Sequence, residues 1–335
     1  MRNSAVQRRI GRIGISLAAA TAVMVAGAAC SSTDDAGGST KLDQNTTLIV
    51  GDQVKGTQSL LEAAGELKDV PYKIEWASFE AGPPLLEAEA AGKVDIGGTG
   101  APPAVFAQAA NSPIKIVGVE TYPKVNDYLL VAPDSPIKTV ADLKGKKVAF
   151  TKGSSSNGLV LALLKQAGLK PSDIQETYLN PTEGLSAFQS GQVDALAVWS
   201  PYAVLAKQKG ARVVGDGTGL VTQQVYFLAS DKALGDTAKS AALKDFVGRL
   251  GRAQKWAKGH EDDWVPVYSK LTTLPEPVAR ETFEGTAGEL TLIDDKSIGQ
   301  QQGLIDLFAD AGVIPTKPVA KDFFDDRFNS EISGS

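Results

Sequence analysis

Few residues in this chain could carry covalent chemistry. Its 335 residues include one histidine, His260, and one cysteine, Cys30. A Ser-His-Asp triad or a histidine-built metal site needs its histidine in a structured pocket. His260 lies in AKGHEDDW, among Lys258, Gly259, Glu261 and Asp262, which reads as a solvated turn. The acidic pairs Asp294-Asp295 and Asp325-Asp326 stand next to Lys296 and Arg327 and read as surface. The run DIGGTGAPP (95–103) looks at first like a nucleotide loop, with glycines behind an apolar stretch. It lacks the G-x-x-x-x-G-K-[ST] pattern, and the G-x-G-x-x-G spacing fails because Ala101, Pro102 and Pro103 follow Gly98 and Gly100. The reading is therefore no enzyme, no catalytic residue, no cofactor and no metal. What remains is a set of hydroxyls, amides and glycines suited to holding an anion.

The elements that would position them form a repeat. LLEAEAAGKVDIGGTGAPPAVFA (85–107) aligns with GLSAFQSGQVDALAVWSPYAVLA (184–206) at an offset of 99, matching Gly92 with Gly191, Asp95 with Asp194 and Pro102 with Pro201. The same offset lays LIVGDQVKGTQSLLEAAG (48–65) on KVAFTKGSSSNGLVLALL (147–164). Each copy reads as an apolar strand, a polar glycine-containing turn and a helix with leucines at 3.6-residue spacing. A second helix follows (near 83–91 and 182–190) and ends at a glycine suited to a helix C-terminus. After G-x-V-D come a short strand and a third helix opened by proline. Such alternation marks α/β sheets, and two copies mean two similar lobes.

In open α/β sheets ligands bind beyond the carboxyl ends of the strands, where helix N-termini present unpaired N–H groups that favour an anion. The repeat offers four such turns, at 51–58, 97–103, 151–158 and 198–201. Gln53, Lys55, Thr57 and Thr99 supply donors in the first copy, and KGSSSN (152–157) in the second. Two lobes facing one cleft with such turns make an anion clamp. The alternative is that these Ser and Thr residues only cap their helices. Asp95 and Asp194 recur in both copies and read as structural, since a carboxylate facing an anionic ligand would be repulsive.

The N-terminus reads as an export signal: Arg2, Arg8, Arg9 and Arg12 precede the uncharged run Ile13–Ala29. Gly-Ala-Ala before Cys30 resembles a bacterial lipobox, in which Cys30 takes the lipid and the signal (1–29) is removed. Gly27 stands where a lipobox usually has a larger apolar residue. Residues 30–46, mostly Ser, Asp, Gly and Thr, read as a flexible tether. Loss of the four signal arginines leaves 30 basic against 39 acidic residues, a net charge of −9 with no basic stripe, which argues against nucleic acid.

FEAGPPLLEAEAAGKVDIGGTGAPPAVFAQA, DLKGKKVAFTKGSSSNGLVLALLKQAGLKPSDI and AFQSGQVDALAVWSPY together resemble the substrate-binding proteins of ABC importers, in the aliphatic-sulfonate and taurine branch, over about 47–325. The resemblance implies a two-lobed type II periplasmic-binding-protein fold, each lobe a mainly parallel sheet flanked by helices. It implies two hinge crossovers, near 130–136 and 221–229, with lobe 1 as 47–131 plus 227–325 and lobe 2 as 134–222. Matched by position, the ligand-facing residues are Gln53, Lys55, Gly56, Thr57, Gly98, Thr99, Gly100, Ala101, Ser154, Ser155, Ser156, Asn157 and Trp199. Trp199 is the apolar wall, Tyr226 adds an organic-tail contact, and Tyr202 belongs to the core. The implied protein is a monomeric receptor on the extracytoplasmic face of the cell membrane. It is held there by lipid alone, binds a small organic anion and partners a permease and an ATPase. Receptors for nitrate, a carboxylate or a pyrimidine, and a sensing lipoprotein, remain alternatives. The thiamine-pyrimidine synthases of similar fold need an active-site histidine that no cleft turn here supplies.

Overall fold

Apolar strands alternating with amphipathic helices build two sheets in the computed structural model, which describes residues 42, 44–220 and 223–334. The expected signal and lipobox, with Cys30, lie outside the described residues. The chain starts with β1 (Thr47–Gln53), α1 (Gly56–Ala63), β2 (Lys73–Phe79), α2 (Gly82–Ala90), β3 (Ile96–Gly100), α3 (Ala101–Ala109) and β4 (Ile114–Thr121). It then crosses into β5 (Asp127–Val131), β6 (Lys147–Phe150), α4 (Ser155–Gln166), β7 (Gln175–Tyr178), α5 (Pro181–Gln189), β8 (Ala195–Trp199), α6 (Tyr202–Gln208) and β9 (Arg212–Asp216). It returns through β10 (Gln224–Ser230), α7 (Asp231–Gly235), α8 (Thr237–Ala257) and α9 (Glu261–Thr272). The chain ends with α10 (Glu276–Thr286), β11 (Glu289–Thr291), α11 (Asp295–Asp310) and α12 (Asn329–Gly334).

The strand orders are β11-β4-β10-β3-β1-β2 and β7-β6-β8-β5-β9. In each sheet the repeat strands pair in parallel, β1 with β2 and β3, β6 with β7 and β8. One returning strand is inserted antiparallel, β10 beside β3 and β4, and β5 beside β8 and β9. This moves both expected boundaries. Because β5 pairs only within the second sheet, the first crossing falls at 122–126, ahead of β5, and 127–131 belong to the second lobe. All of β10 lies in the first sheet, so the second crossing falls at 217–223. The first lobe also runs past 325, since Phe328 and Ile332 enter its core beside Phe246. Its start lies slightly earlier than 47, because Gln44 donates to the Val70 carbonyl at 2.8 Å.

Period-2 alternation decides which strand residues are buried. In the first lobe Leu48 and Val50 of β1 pack under Leu243, Phe246 and Leu250 of α8. On the other face Ile114, Ile116 and Leu228 meet Leu304, Ile305 and Phe308 of α11. Leu129, Val148 and Phe150 pack against Leu159, Val160 and Leu163 of α4 in the second lobe. Each such side chain contributes roughly 1.5–3 kcal/mol by leaving water.

The repeat is visible in space, with a one-residue slip. Asp95 accepts the Ile49 amide at 2.8 Å, and Asp194 accepts the Lys147 amide at the same distance. Both carboxylates thus tie the starts of two neighbouring strands, as their recurrence suggested, and Asp95 also holds Lys239 at 2.7 Å. Ile49 therefore corresponds to Lys147, an offset of 98, whereas the helix starts Gly56 and Ser155 keep the offset of 99. From the tied strand residue to the helix start, the second copy is therefore one residue longer than the first. Gly92 (φ 65°) and Gly191 (φ 72°) end the second helix of each copy in the left-handed region that glycine tolerates.

Candidate functional site

The turns at the carboxyl ends of β1, β3 and β8 and the turn into α4 face a cavity of about 170 Å³ between the lobes. A cavity of roughly 150 Å³ is enough to take benzene, so the site suits a small organic molecule. Both crossings contribute to its wall, through Tyr122 and Asn126 and through Gln223, next to Gln224 at the start of β10. An apolar arm reaches into the first lobe, lined by Leu60, Leu250, Ala257, Trp264, Tyr268 and Phe283. Trp264 and Tyr268 are stacked with centroids 4.4 Å apart.

The lobes touch around this cavity. A Cβ on Gly100 would stand 3.2 Å from Ser155 Cβ, so glycine allows the close approach of β3 to the start of α4. Lys207 of α6 pairs with Glu281 of α10 at 2.5 Å, and Thr182 of α5 donates to Glu80 at 3.3 Å.

Gln53, Gly56, Thr57, Gly98, Thr99, Gly100, Ser154, Ser155 and Trp199 line the cavity, whereas Lys55, Ala101, Ser156 and Asn157 are not among its lining residues. Lys55 Nζ bonds Gln58 Oε1 at 3.4 Å, and Ala101 is buried at the start of α3. Ser156 Oγ meets Ser154 Oγ at 2.8 Å, and Asn157 Oδ1 accepts the Gly153 amide at 3.0 Å, so both serve their own turn. Ser154 is the N-cap of α4, accepting the Asn157 amide. Gln53 spends its amide donor on the Gly98 carbonyl at 2.8 Å. Trp199, at the end of β8, stands nearly perpendicular to the half-buried Tyr202. Tyr226 departs from its expected place. On β10 it points with Leu228 into the core, its hydroxyl bonded to Gln224, while Val225 and Phe227 face the cavity. His260 lies away from the site and is half-buried, stacked on Trp256 at 4.6 Å.

The main departure from the sequence reading is electrostatic. Three carboxylates line the cavity, Asp52, Glu120 and Asp127, and no Lys, Arg or His does among the described residues. Asp52 accepts the amides of Thr57 at 3.0 Å and Gln58 at 2.9 Å, so the N-terminus of α1 is filled by the chain's own anion. Burial nevertheless pushes Asp52 up to about 6, outweighing the pull of those amides. Asp127 is also pushed up to about 6 by burial, against the 2.7 Å hydrogen bond from Ser155 Oγ. Glu120 ends β4 and is pushed up to about 8 by burial alone. The N-terminus of α4 is different. The amides of Ser155 and Ser156 open that helix with no carbonyl one turn behind them, and Ser155 lines the cavity in close approach to Gly100. That is the seat left for an anionic head group.

Sequence reading missed Asp52, Glu120, Tyr122, Asn126, Asp127 and the aromatic arm. One signal was present: Asp52 and Glu120 both stand near the carboxyl ends of apolar strands, where ligands of α/β sheets bind. Trp264 and Tyr268 share a helix face at i, i+4, but nothing local shows which cavity that face meets.

A family model described as NMT1/THI5 like matches residues 83–260, just over half of the chain. A protein of Escherichia coli (strain K12) bearing the name of an aliphatic sulfonates-binding protein is 38% identical over 275 residues, spanning 81% of this chain and 86% of that one. The crystal structure of the periplasmic aliphatic sulphonate-binding protein SsuA from Escherichia coli superposes with a TM-score of 0.73 at 37% identity, covering 83% of this chain and 92% of that one. The alkanesulfonate-binding protein SsuA of Xanthomonas axonopodis pv. citri, bound to MOPS, gives a TM-score of 0.76 at 32% identity, covering 83% and 98%. With the two-sheet fold and the inter-lobe cavity, these likenesses place the chain: it belongs to the NMT1/THI5-like family, among the aliphatic sulfonate-binding proteins.

Proposed function

We propose that this protein is the extracytoplasmic receptor of an ABC importer and captures a small organosulfonate between its lobes. The observation that carries the reading is the start of α4, where Ser155 lines the cavity in close approach to Gly100, with Gly98 and Thr99 lining it as well. A sulfonate spreads one negative charge over three oxygens, which suits several amide and hydroxyl donors better than one cation. The relatives named for aliphatic sulfonates supply the ligand class. Trp199 and the arm around Trp264 would cover the carbon part. A receptor of this kind works by closure rather than chemistry: ligand contacts from both lobes favour the closed arrangement, with bending at 122–126 and 217–223. Permease and ATPase subunits are its implied partners, and it acts as a monomer without catalysis. Lipidated Cys30 would keep it on the membrane surface, since no helix among the described residues is long and apolar enough to cross one.

Melting curves and calorimetric titration with taurine, alkanesulfonates, aromatic sulfonates, nitrate, carboxylates and pyrimidines test the reading. Sulfonates should bind and raise the melting temperature. Binding of nitrate or a pyrimidine with no sulfonate bound would overturn it, as would turnover of a sulfonate by the purified protein. Cys30→Ala should release the protein from the membrane; a cleaved variant that still fractionates with membranes excludes the anchor.

A further inference from the structure

Away from the α4 seat the cavity is lined by buried polar groups that lack partners among the described residues. Glu120 is 7% exposed and lines the cavity, and no donor reaches its carboxylate among the described residues. Its Oε1 lies against Gly288, where a Cβ would come within 2.5 Å. Two buried acceptors of cavity-lining residues, Asn126 Oδ1 and Gln254 Oε1, have no partner among the described residues, and the Tyr268 hydroxyl beside the same cavity is the one unpartnered donor among them. Asp52 and Asp127 already have donors of their own. The Tyr122 hydroxyl, which lines the same cavity, is raised by burial and then by the nearby Glu120, Asp127, Tyr268 and Asp52. A plain alkanesulfonate brings three further acceptors and a hydrocarbon tail. It would leave Glu120 and Asn126 as they are and add a negative charge beside three carboxyl groups. A tail ending in an ammonium brings three donors and a compensating charge.

Resting on the sulfonate reading above, we propose that Glu120 receives a protonated amine of the ligand and is the specificity-determining residue of the cleft, which therefore selects zwitterionic aminosulfonates over plain alkanesulfonates. The head group sits at the start of α4 and the amine at the acceptor cluster. A proton balance follows. In the empty cavity burial holds Glu120 largely as the acid at neutral pH, with Tyr122, Asp127, Asp52 and Tyr268 as its titratable neighbours. An ammonium beside it favours the carboxylate, so the acid proton leaves to solvent as the amine binds.

The test pairs two ligands of nearly equal shape, 3-aminopropanesulfonate and butanesulfonate, titrated calorimetrically into wild type and Glu120→Gln. A charged hydrogen-bonded contact in a buried site corresponds to about ten-fold or more in affinity. Wild type should prefer the amine by at least about that factor. Titrations in buffers of different ionisation enthalpy should show proton release with the amine alone. Glu120→Gln should bring the two ligands to within about three-fold of each other and abolish the release. Equal or tighter butanesulfonate binding by wild type overturns the proposal, and so does a preference that survives in Glu120→Gln. The wild-type comparison stands even if the variant folds poorly. If alkanesulfonates bind without discrimination, only this inference fails; if neither sulfonate binds, the receptor reading fails with it.

Discussion

The turn after β1 and the turn after β6 are copies of one design, yet they meet the cleft in opposite ways. In the first, Asp52 reaches forward to the amides of Thr57 and Gln58, and α1 begins on a carboxylate belonging to the chain. In the second, Ser154 caps the Asn157 amide, and Ser155 lines the cavity with only its hydroxyl engaged, on Asp127, so no carboxylate takes the amides that open α4. A helix N-terminus favours an anion in either case. The difference is whether that anion is built in or comes from outside. Repetition in the sequence therefore produced one closed and one open seat, and the cleft holds its head group asymmetrically.

The largest expected effect tests the closed seat. Asp52 is pushed from its ordinary 3.8 to about 6 by burial. A raised carboxyl keeps its proton longer in the folded chain, so its contribution to stability is complete below about 3.8 and is lost as pH rises toward about 6. That rise in pKa corresponds to roughly 3 kcal/mol. Denaturant melts of ligand-free wild type and Asp52→Asn at pH 4 and pH 7 should show wild type losing about that much relative to the variant. Parallel pH curves would mean that Asp52 is no more costly to ionise than a surface carboxylate, and the contrast between the seats would lose its basis.

A smaller effect separates the open seat from an ordinary cap. Thr99→Ala removes the hydroxyl of a cavity-lining residue next to Gly100 and should lower sulfonate affinity by about ten-fold, the usual worth of a hydrogen bond to a charged group. Ser154→Ala should behave differently, costing about 1 kcal/mol of stability through the lost cap with little change in affinity. Should Thr99→Ala bind normally and only melt lower, the turns of both copies are helix caps and the ligand sits elsewhere.

The smallest effect concerns the contact that bridges the lobes outside both seats. Lys207 is about a quarter exposed and pairs with Glu281 while lying over the Tyr128 ring at 4.7 Å. Partly exposed pairs contribute about 0–1 kcal/mol, so Lys207→Ala should weaken binding by no more than about five-fold. Solution scattering should show the ligand-free variant more expanded than wild type. An unchanged radius would assign closure to the cavity contacts alone.

Much of this molecule is legible along the chain because it is written in local periods. Leucines at helical spacing, strands of alternating burial, Gly92 and Gly191 at helix ends and prolines opening α3 reflect backbone preferences that need no distant partner. The same is true of the repeat, of the scarcity of histidine and cysteine, and of the polar turns that met in one cleft. Tertiary structure decided the rest. Whether Tyr226 or Phe227 faces the cavity depends on how β10 is inserted between β3 and β4, and the antiparallel entry of β5 moved the first crossing ahead of Asp127. Glu120 reads as one acidic residue ending an apolar run until β10 and β11 flank it and Gly288 closes over it. A sequence period shows which residues share a face. Burial, and with it the raised pKa values and unpaired acceptors that give the cleft its character, comes from segments far apart in the chain that packing brings together.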